Sequence, residues 1–565
     1  MPHHQHKGKR FETFVYNILN NPLKKVLVIV LTIVALAGSI MMLPTKTVVA
    51  RMLPGKSANT FNVYVTTPAG SSIEQTKKVS RCVVDFLTQE KEVTDVEAFL
   101  AQGAPLDYAG LVKGSALKQG ARFSEIVVNL TDKHEREEKS FSMVHRMRPE
   151  LNAKCANLVK GTTISMIEMP SGPPTLASIA VEVYGAHNQE VVRVAEDVAK
   201  ILKQTPKLVD VDIMSETPYD KYQLVPLKDK IAKSGLSVEQ VNNILYLAFK
   251  GMQVAVKNTI ELNDQVGIFV ALSKKSKTLE NASLKDLTAK LSALYLMNKK
   301  GMMVPLTEIV NIIKIKSTPT IYHKDLKTMV NVVAETDMES QVYPLLEARD
   351  TMINYFSTHG YEVKKAKGIS TYMFDLTLTD KKTGREFLLR WDGEMKVTLD
   401  TFRDLGAAFI AALILIYLLL VIYYKSFAIS GIVLAGSFLS IIGVIIGHWV
   451  ANLVTVDTFF LTATSLIGFI ALMGISSRNS LLLIDFAKSL MDDKGIEKRH
   501  AIAIASATRA KPIMLTAIAI ILGSALLAGD PIFGGLGVAL ISGTVAAVIV
   551  SLIFIPVLMD NTKAI

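Results

Sequence analysis

The chain has 565 residues, of which 50% are apolar and 20% charged, with only 19 prolines and 33 glycines. That is material for about three to five domains, and it excludes a disordered or collagen-like chain. The formal net charge is +11, from 62 basic and 51 acidic residues, and the two cysteines, Cys82 and Cys155, exclude a disulfide framework, an iron–sulfur centre and a multi-cysteine zinc site.

A mean hydropathy of +0.33 beside this much charge means that apolar and polar residues are segregated along the chain. The basic excess gathers near the ends of apolar runs. A nucleic-acid partner would need it on one face, so the pattern points to a membrane and to no nucleic acid.

The first 25 residues read as a basic tail carrying Lys7, Lys9, Arg10, Lys24 and Lys25, with His3, His4 and His6 as solvated residues. An apolar run over 26–43 follows. It is too long for a signal-peptide core and lacks a small-x-small cleavage site, so it is read as an uncleaved membrane helix. Five more apolar runs come late, at 407–424, 428–450, 459–486, 512–528 and 536–559. Lys and Arg concentrate in the tail and in the segment 487–511, while 451–458 and 529–535 have none, which puts both termini in the cytoplasm and the large middle region outside.

That middle region alternates strand and helix patterns. A strand over 61–67, a helix with Val79, Val83 and Phe86 on one face and a strand over 93–100 form one βαβ unit. A strand over 124–130, a helix from Ser140 and a strand over 162–168 form a second, the ferredoxin-like pattern. The pattern recurs at 178–214 and again at 329–365. Between them, 217–327 has its own helix at Val238–Phe249 and is assigned to a separate inserted subdomain. The full division is tail 1–25, helix 26–43, first subdomain 44–176, second subdomain 177–216 and 328–400 (with the return to the membrane), insert 217–327 and membrane bundle 401–565.

One helix, an external domain of paired ferredoxin-like units with an insert, then five helices resembles one half of a resistance-nodulation-division (RND) permease. Three motifs carry the resemblance. Phe61-Asn-Val-Tyr-Val-Thr-Thr-Pro68-Ala-Gly70 resembles the opening strand and turn of that family's outer domain. Gly474-Ile-Ser-Ser-Arg478-Asn479 running to Asp485 resembles a helix of its C-terminal half, and Arg509-Ala-Lys511-Pro512-Ile-Met-Leu-Thr516 the start of the next. The match is nearest the hydrophobe/amphiphile efflux branch. It implies an α+β fold with ferredoxin-like porter subdomains, a docking insert and a 1 + 5 helix plan. It also implies no enzyme activity and no cofactor, with a proton gradient as the energy source. The expected partners are a separately encoded N-terminal half, three such pairs in a ring, a periplasmic adaptor, an outer-membrane channel and small amphiphilic substrates. The expected location is the bacterial inner membrane with a periplasmic domain.

Arg478 lies inside an apolar run, where a charge costs from about 2.5 kcal/mol upward. With Asn479, Asp485 and Thr516 it is the candidate proton-relay network; Arg478 would serve as a counter-charge, since a guanidinium does not give up its proton. The competing readings are a snorkelling Arg478, an Asp485 facing water and a Thr516 bonded back to its own helix. His448 beside Trp449 reads as aromatic belt. No intramembrane carboxylate other than Asp485 is present, which argues for a partner half. The connection 101–123, with Leu106, Tyr108, Leu111, Val112 and Leu117, is the candidate substrate gate. Gly443 and Gly447 form a helix-packing motif. Met166 and Met169 are read as core filling rather than as metal ligands. Cys82 and Cys155 either pair in an oxidising compartment or stay as two buried thiols. The rivals to an efflux half are a heavy-metal pump half, a protein-translocation accessory with one plus five helices and a non-transporting scaffold half.

Overall fold

The computed structural model describes residues 5–55, 57–105, 108–113, 115, 118–168, 172, 175–260, 262, 265–273, 283–366, 372–455 and 458–563. His3, His4, Leu106, Leu117 and Met169 lie outside the described residues.

The expected tail is a helix. α1 (Gln5–Leu19) buries Val15, Ile18 and Leu19 against the membrane bundle. α2 (Pro22–Met41) follows at once. Asn21 caps it by accepting from the Leu23 and Lys24 amides, and Pro22 supplies the preset first residue. Its Leu27, Leu31 and Val34 are exposed, as befits a helix whose solvent is lipid.

The first α/β unit contains β1 (Thr60–Thr66), α3 (Ile73–Leu87), β2 (Val93–Leu100), α4 (Tyr108–Lys113), β3 (Phe123–Leu130), α5 (Ser140–Cys155) and β4 (Thr163–Glu168). The strands form an antiparallel sheet of order β2-β3-β1-β4, the ferredoxin-like order. Val63 and Val65 point to the side covered by α3 and α5, where Val79, Val83, Met143 and Met147 complete a dry core. Ser72 and Gln75 cap α3 reciprocally. Cys82 and Cys155 are disulfide-bonded, with Cα atoms 5.7 Å apart, so α3 is tied to the end of α5.

The second unit contains β5 (Ile179–Gly185), α6 (Asn188–Gln204) and β6 (Leu208–Ile213). The chain then leaves through β7 (Asp220–Pro226), α7 (Lys228–Lys233), α8 (Val238–Phe249), β8 (Met252–Lys257), β9 (Val266–Val270), α9 (Leu284–Ser292), β10 (Tyr295–Met297), β11 (Met303–Pro305), α10 (Leu306–Ile309) and β12 (Val310–Lys316). It returns in β13 (His323–Lys324), β14 (Lys327–Thr336), α11 (Val342–Thr358), β15 (Tyr361–Lys365), β16 (Leu376–Asp380) and β17 (Glu386–Asp392). The main sheet runs β13-β14-β5-β17-β16-β15, and β6 also pairs with β14. This differs from the expected closure. β15 does not lie beside β5; the hairpin β16–β17, read from sequence as a return path, is inserted there.

Within the excursion, β7 pairs with β12 alone among the described residues, and Ile231, Val241, Leu245, Leu291 and Leu306 form a separate core. The hairpin β8–β9 stands free of that core, and Phe269 on it is 69% exposed.

β17 runs directly into α12 (Glu394–Tyr424). The corner is Gly393 at φ 84, and a Cβ there would collide with the Ala177 carbonyl. The bundle continues through α13 (Phe427–Phe438), α14 (Ile441–Val454), α15 (Ala463–Asp492), α16 (Lys498–Ala528) and α17 (Gly534–Ile549), which passes through a π-helical turn into α18 (Ile555–Asn561). Six helical segments among the described residues have the length and hydropathy to cross a bilayer: Pro22–Met41, Glu394–Tyr424, Phe427–Val454, Ala463–Asp492, Lys498–Ala528 and Gly534–Asn561.

Candidate functional site

Two places bring charge into otherwise apolar surroundings. The first is the seam between the two α/β units. Glu335 pairs with Val209 just after the irregularity in the β14–β6 register, and its carboxylate accepts from Lys113 Nζ at 2.6 Å, from the Ser178 amide at 3.1 Å and from the Ser178 hydroxyl. Lys118 Nζ lies 3.6 Å from Asp212 of β6 and sits over the rings of Tyr64 at 4.9 Å and Phe123 at 5.8 Å. Arg148 of α5 reaches across to Asp210 at 3.3 Å and Asp337 at 2.9 Å, and His145 meets Asp337 at 2.7 Å. Every one of these ion pairs joins the first unit to the second.

Between them is a small cavity of about 40 Å³ lined by Tyr64, Ile167, Leu176, Met214, both lysines and the carboxylates of Asp210, Asp212 and Glu335. That is room for one or a few waters. Burial pushes the Asp210 carboxyl up to about 6 even with Arg148 beside it. Burial alone would raise Glu335 as well, but Lys113 and Ser178 together hold it below the usual carboxylate range.

Both lysines belong to the connection 101–123. Its ends are pinned: buried Glu125 accepts from the Ala104 amide at 2.7 Å and from Asn62 at 2.8 Å, and Thr76 donates to the Ala121 carbonyl at 2.7 Å. Of the gate residues expected there, Leu106 and Leu117 lie outside the described residues, Tyr108 and Val112 are in α4, and Leu111 is exposed. Sequence reading picked the apolar residues of this connection and passed over Lys113 and Lys118. Their partners are more than 90 residues away, so no local spacing marks them.

The second place is α15. Arg478 lies halfway along this 30-residue helix, about 22 Å from either end at 1.5 Å per residue. It faces outward from the bundle and makes no hydrogen bond or ion pair among the described residues. Asn479 is buried on the inner face, Thr516 donates to its own helix at the Ile513 carbonyl at 2.9 Å, and Asp485 accepts from Tyr424 at 2.7 Å. The four candidate relay residues therefore form no network within this chain. His448 faces inward, where it is buried between the Val444 carbonyl and the Ser465 hydroxyl, both at 2.8 Å. That differs from the expected belt position, because the small residues of α14 turn this face toward the bundle.

A family model described as the AcrB/AcrD/AcrF family matches residues 3–357 and 372–560. The chain belongs to the AcrB/AcrD/AcrF family. It is 22% identical over 563 residues to the swarming motility protein SwrC of Bacillus subtilis strain 168, covering 98% of this chain and 48% of that protein. It is 22% identical over 587 residues to the multidrug export protein AcrF of Escherichia coli K12, covering 98% of this chain and 50% of AcrF. The fold is similar to that of a heavy metal efflux pump in crystal form II, with a TM-score of 0.70 at 18% identity, covering 98% of this chain and 52% of that one. The chain thus spans about half the length of the relatives it matches. Like the family, it is a multi-pass membrane protein, and its RND-type character agrees with the resemblance drawn from the motifs.

Proposed function

We propose that this polypeptide acts as the C-terminal half of a proton-driven efflux permease in the bacterial inner membrane. Both termini are cytoplasmic, and the α/β units, with the insert as a docking element, are periplasmic. Amphiphilic small molecules enter the cleft between the units and leave through a periplasmic adaptor and an outer-membrane channel. Three pairs of halves form the ring. The names of relatives such as AcrF favour this cargo over metal ions, and so do the cleft walls, where lysines face carboxylates rather than a soft-ligand cluster.

The observation that carries the reading is the outward-facing Arg478. Leu482, one turn on along α15, is exposed and apolar, as are Ile467 earlier on that helix and Leu515 and Leu522 of α16. A guanidinium on such a face needs protein or water against it, and a second six-helix half with its own intramembrane carboxylates supplies both the cover and the titrating group. Thr516, exposed on α16, Asp485, bonded to Tyr424, and Asn479 on the inner face then act as secondary polar positions of the relay.

The test is expression of the chain with and without a six-helix partner, reading native mass and drug accumulation. Arg478→Ala is expected to abolish efflux by the pair while leaving expression intact, and Arg478→Lys to retain part of it. Proton-driven efflux by this polypeptide alone, or full efflux by the Ala variant, defeats the reading.

A further inference from the structure

His448 is a titratable side chain inside the membrane bundle that the candidate relay does not use. It lies near the end of α14 and none of its surface is exposed. Its Nδ1 is 2.8 Å from the Val444 carbonyl, which only accepts, so Nδ1 carries a proton in every state of the ring. Its Nε2 is 2.8 Å from the Ser465 hydroxyl, which both donates and accepts.

A row of hydroxyls leads from Ser465 to the connection between α16 and α17. Ser465 Oγ is 3.0 Å from Thr462 Oγ1, Thr462 Oγ1 is 2.8 Å from Thr464 Oγ1, and Thr464 Oγ1 is 3.2 Å from the Ile532 carbonyl. The flanking Pro531 and Phe533 are exposed, so the row begins at the aqueous edge and ends at the buried ring. The cap of α15 fixes its middle: the Thr462 amide donates to Ser465 Oγ at 3.1 Å and the Ser465 amide to Thr462 Oγ1 at 3.3 Å. α17 keeps the row intact by passing it with Gly535, where a Cβ would collide with both oxygens.

The row is satisfied in either of two directions. With the ring neutral, Thr464 donates to Thr462, Thr462 to Ser465 and Ser465 to Nε2. With the ring charged, Nε2 donates to Ser465, Ser465 to Thr462, Thr462 to Thr464 and Thr464 to the Ile532 carbonyl. Neither pattern strands a buried donor. A ring held for structure alone needs only the first. Among the described residues no charged side chain touches the ring, whose other neighbour is the Phe459 ring at 5.6 Å. Of the helices packed on α14, α17 carries no charge, α2 has Lys24 and Lys25 at its other end, and the first charge on α15 is Arg478, halfway along it. The charges at the outer edge are Arg51, over the Phe460 ring at 5.6 Å, and Asp530, which accepts from the Ile532 and Phe533 amides.

We propose that His448 is a proton-loading site, filled from the outer aqueous side along Thr464, Thr462 and Ser465. A hydronium ion at the connection 529–533 gives a proton to Thr464 Oγ1 while the hydrogen already there moves to Thr462, that of Thr462 to Ser465 and that of Ser465 to Nε2. Each hydroxyl oxygen gains one hydrogen and loses one, water is left behind, and the ring becomes an imidazolium. This deepens the proton-driven reading and rests on it for its purpose: the half takes up a proton itself, beyond serving as a counter-charge to its partner.

The full chain, with its ten histidines labelled with 15N, is placed in lipid nanodiscs and followed by solid-state NMR from pH 9 to pH 4, His448→Gln identifying the signal. The expected signal is a neutral ring protonated at Nδ1 in base that gains one proton reversibly in acid. Thr464→Val, of the same shape, is expected to leave the two end states and the melting temperature alone and to slow exchange between them by about tenfold or more, which loss of packing would not do. In the paired complex, His448→Gln is expected to cut efflux by about tenfold or more at unchanged native mass. A ring that stays neutral to pH 4, exchange as fast in Thr464→Val as in the parent, or full efflux by the His448→Gln pair overturns the proposal. A parent pair that pumps nothing while His448 loads as described removes the proton-driven reading and leaves the loading site standing.

Discussion

Glu168, at the end of β4, carries a cost that its neighbours do not remove. Burial pushes its carboxyl up to about 7 although Arg148 and Arg51 lie near enough to favour the charge. A folded-state value above the ordinary 4.5 means that the folded protein holds this proton more strongly than the unfolded chain. Stability from this group is therefore present below pH 4.5 and is lost as pH rises through 7. Glu168→Gln is expected to raise unfolding stability at pH 7.5 by roughly 1–3 kcal/mol and to change little at pH 4.5. Thermal melts of the purified protein at the two pH values check it, and an equal gain at both would mean that the cause is packing. Asp210, raised to about 6 by the same burial, adds a slope of the same sign at slightly lower pH. At this scale the sequence is uneven as a guide. Arg478 stands out because its neighbours in the chain are apolar, a local signal. Glu168, Asp210 and Glu335 look like ordinary polar residues of amphipathic strands, and only the packing of one sheet against another takes them out of water.

Among the elements, the tightest approach is between α14 and α17. Gly443 and Gly447 lie one turn apart, and a Cβ on either would collide with Ser542, with Ala546 also in the way at Gly443. Without a hydrophobic drive between helices in lipid, such close backbone contact is a main source of association. Gly447→Leu is expected to cost about 2 kcal/mol or more through overpacking, seen as faster cleavage of the bundle by protease and a lower melting temperature. A variant as stable as the parent would show that the helices separate without loss. The spacing of these glycines made the contact readable in advance, but not the partner helix. The same limit explains the hairpin β16–β17. Leu376 and Leu378 alternate with threonines before the turn at Gly384, and Phe387, Leu389 and Trp391 recur at every second position after it, so both strands carry a signal. Period-two alternation says that a strand has one buried face. It does not say which strand lies beside it, and β17 rather than β15 takes the place next to β5 because Leu389 and Trp391 complete the core under α11.

For the whole molecule, the excursion from β7 to β12 behaves as a separate body. Its two connections to the main sheet run side by side, with Glu216 accepting from Thr320 at 2.9 Å and Tyr219 and Ser317 bonded at 2.8 Å. Among the described residues, none of its strands enters the two larger sheets. Replacing 217–327 with a short Gly-Ser linker is expected to leave a membrane-inserted protein with the melting behaviour of the remaining units, and to abolish association with other copies or with an outer-membrane channel. Native mass and co-purification measure this, and an undiminished complex would remove the insert from assembly. The exposed arm β8–β9 is the part of this body with most to gain from a partner, since an isolated two-stranded ribbon is marginal in water.

At the α1 end of the bundle, Asp560 joins Lys25 at 2.8 Å and Arg499 at 3.3 Å, and Arg499 also reaches Asn20 at 3.2 Å. Residues 535 positions apart in the chain thus share one carboxylate. The start of α2, the start of α16 and the end of α18 are thereby fastened at one point, and loss of the Asp560 carboxylate would leave two buried or half-buried cations without their shared counter-charge.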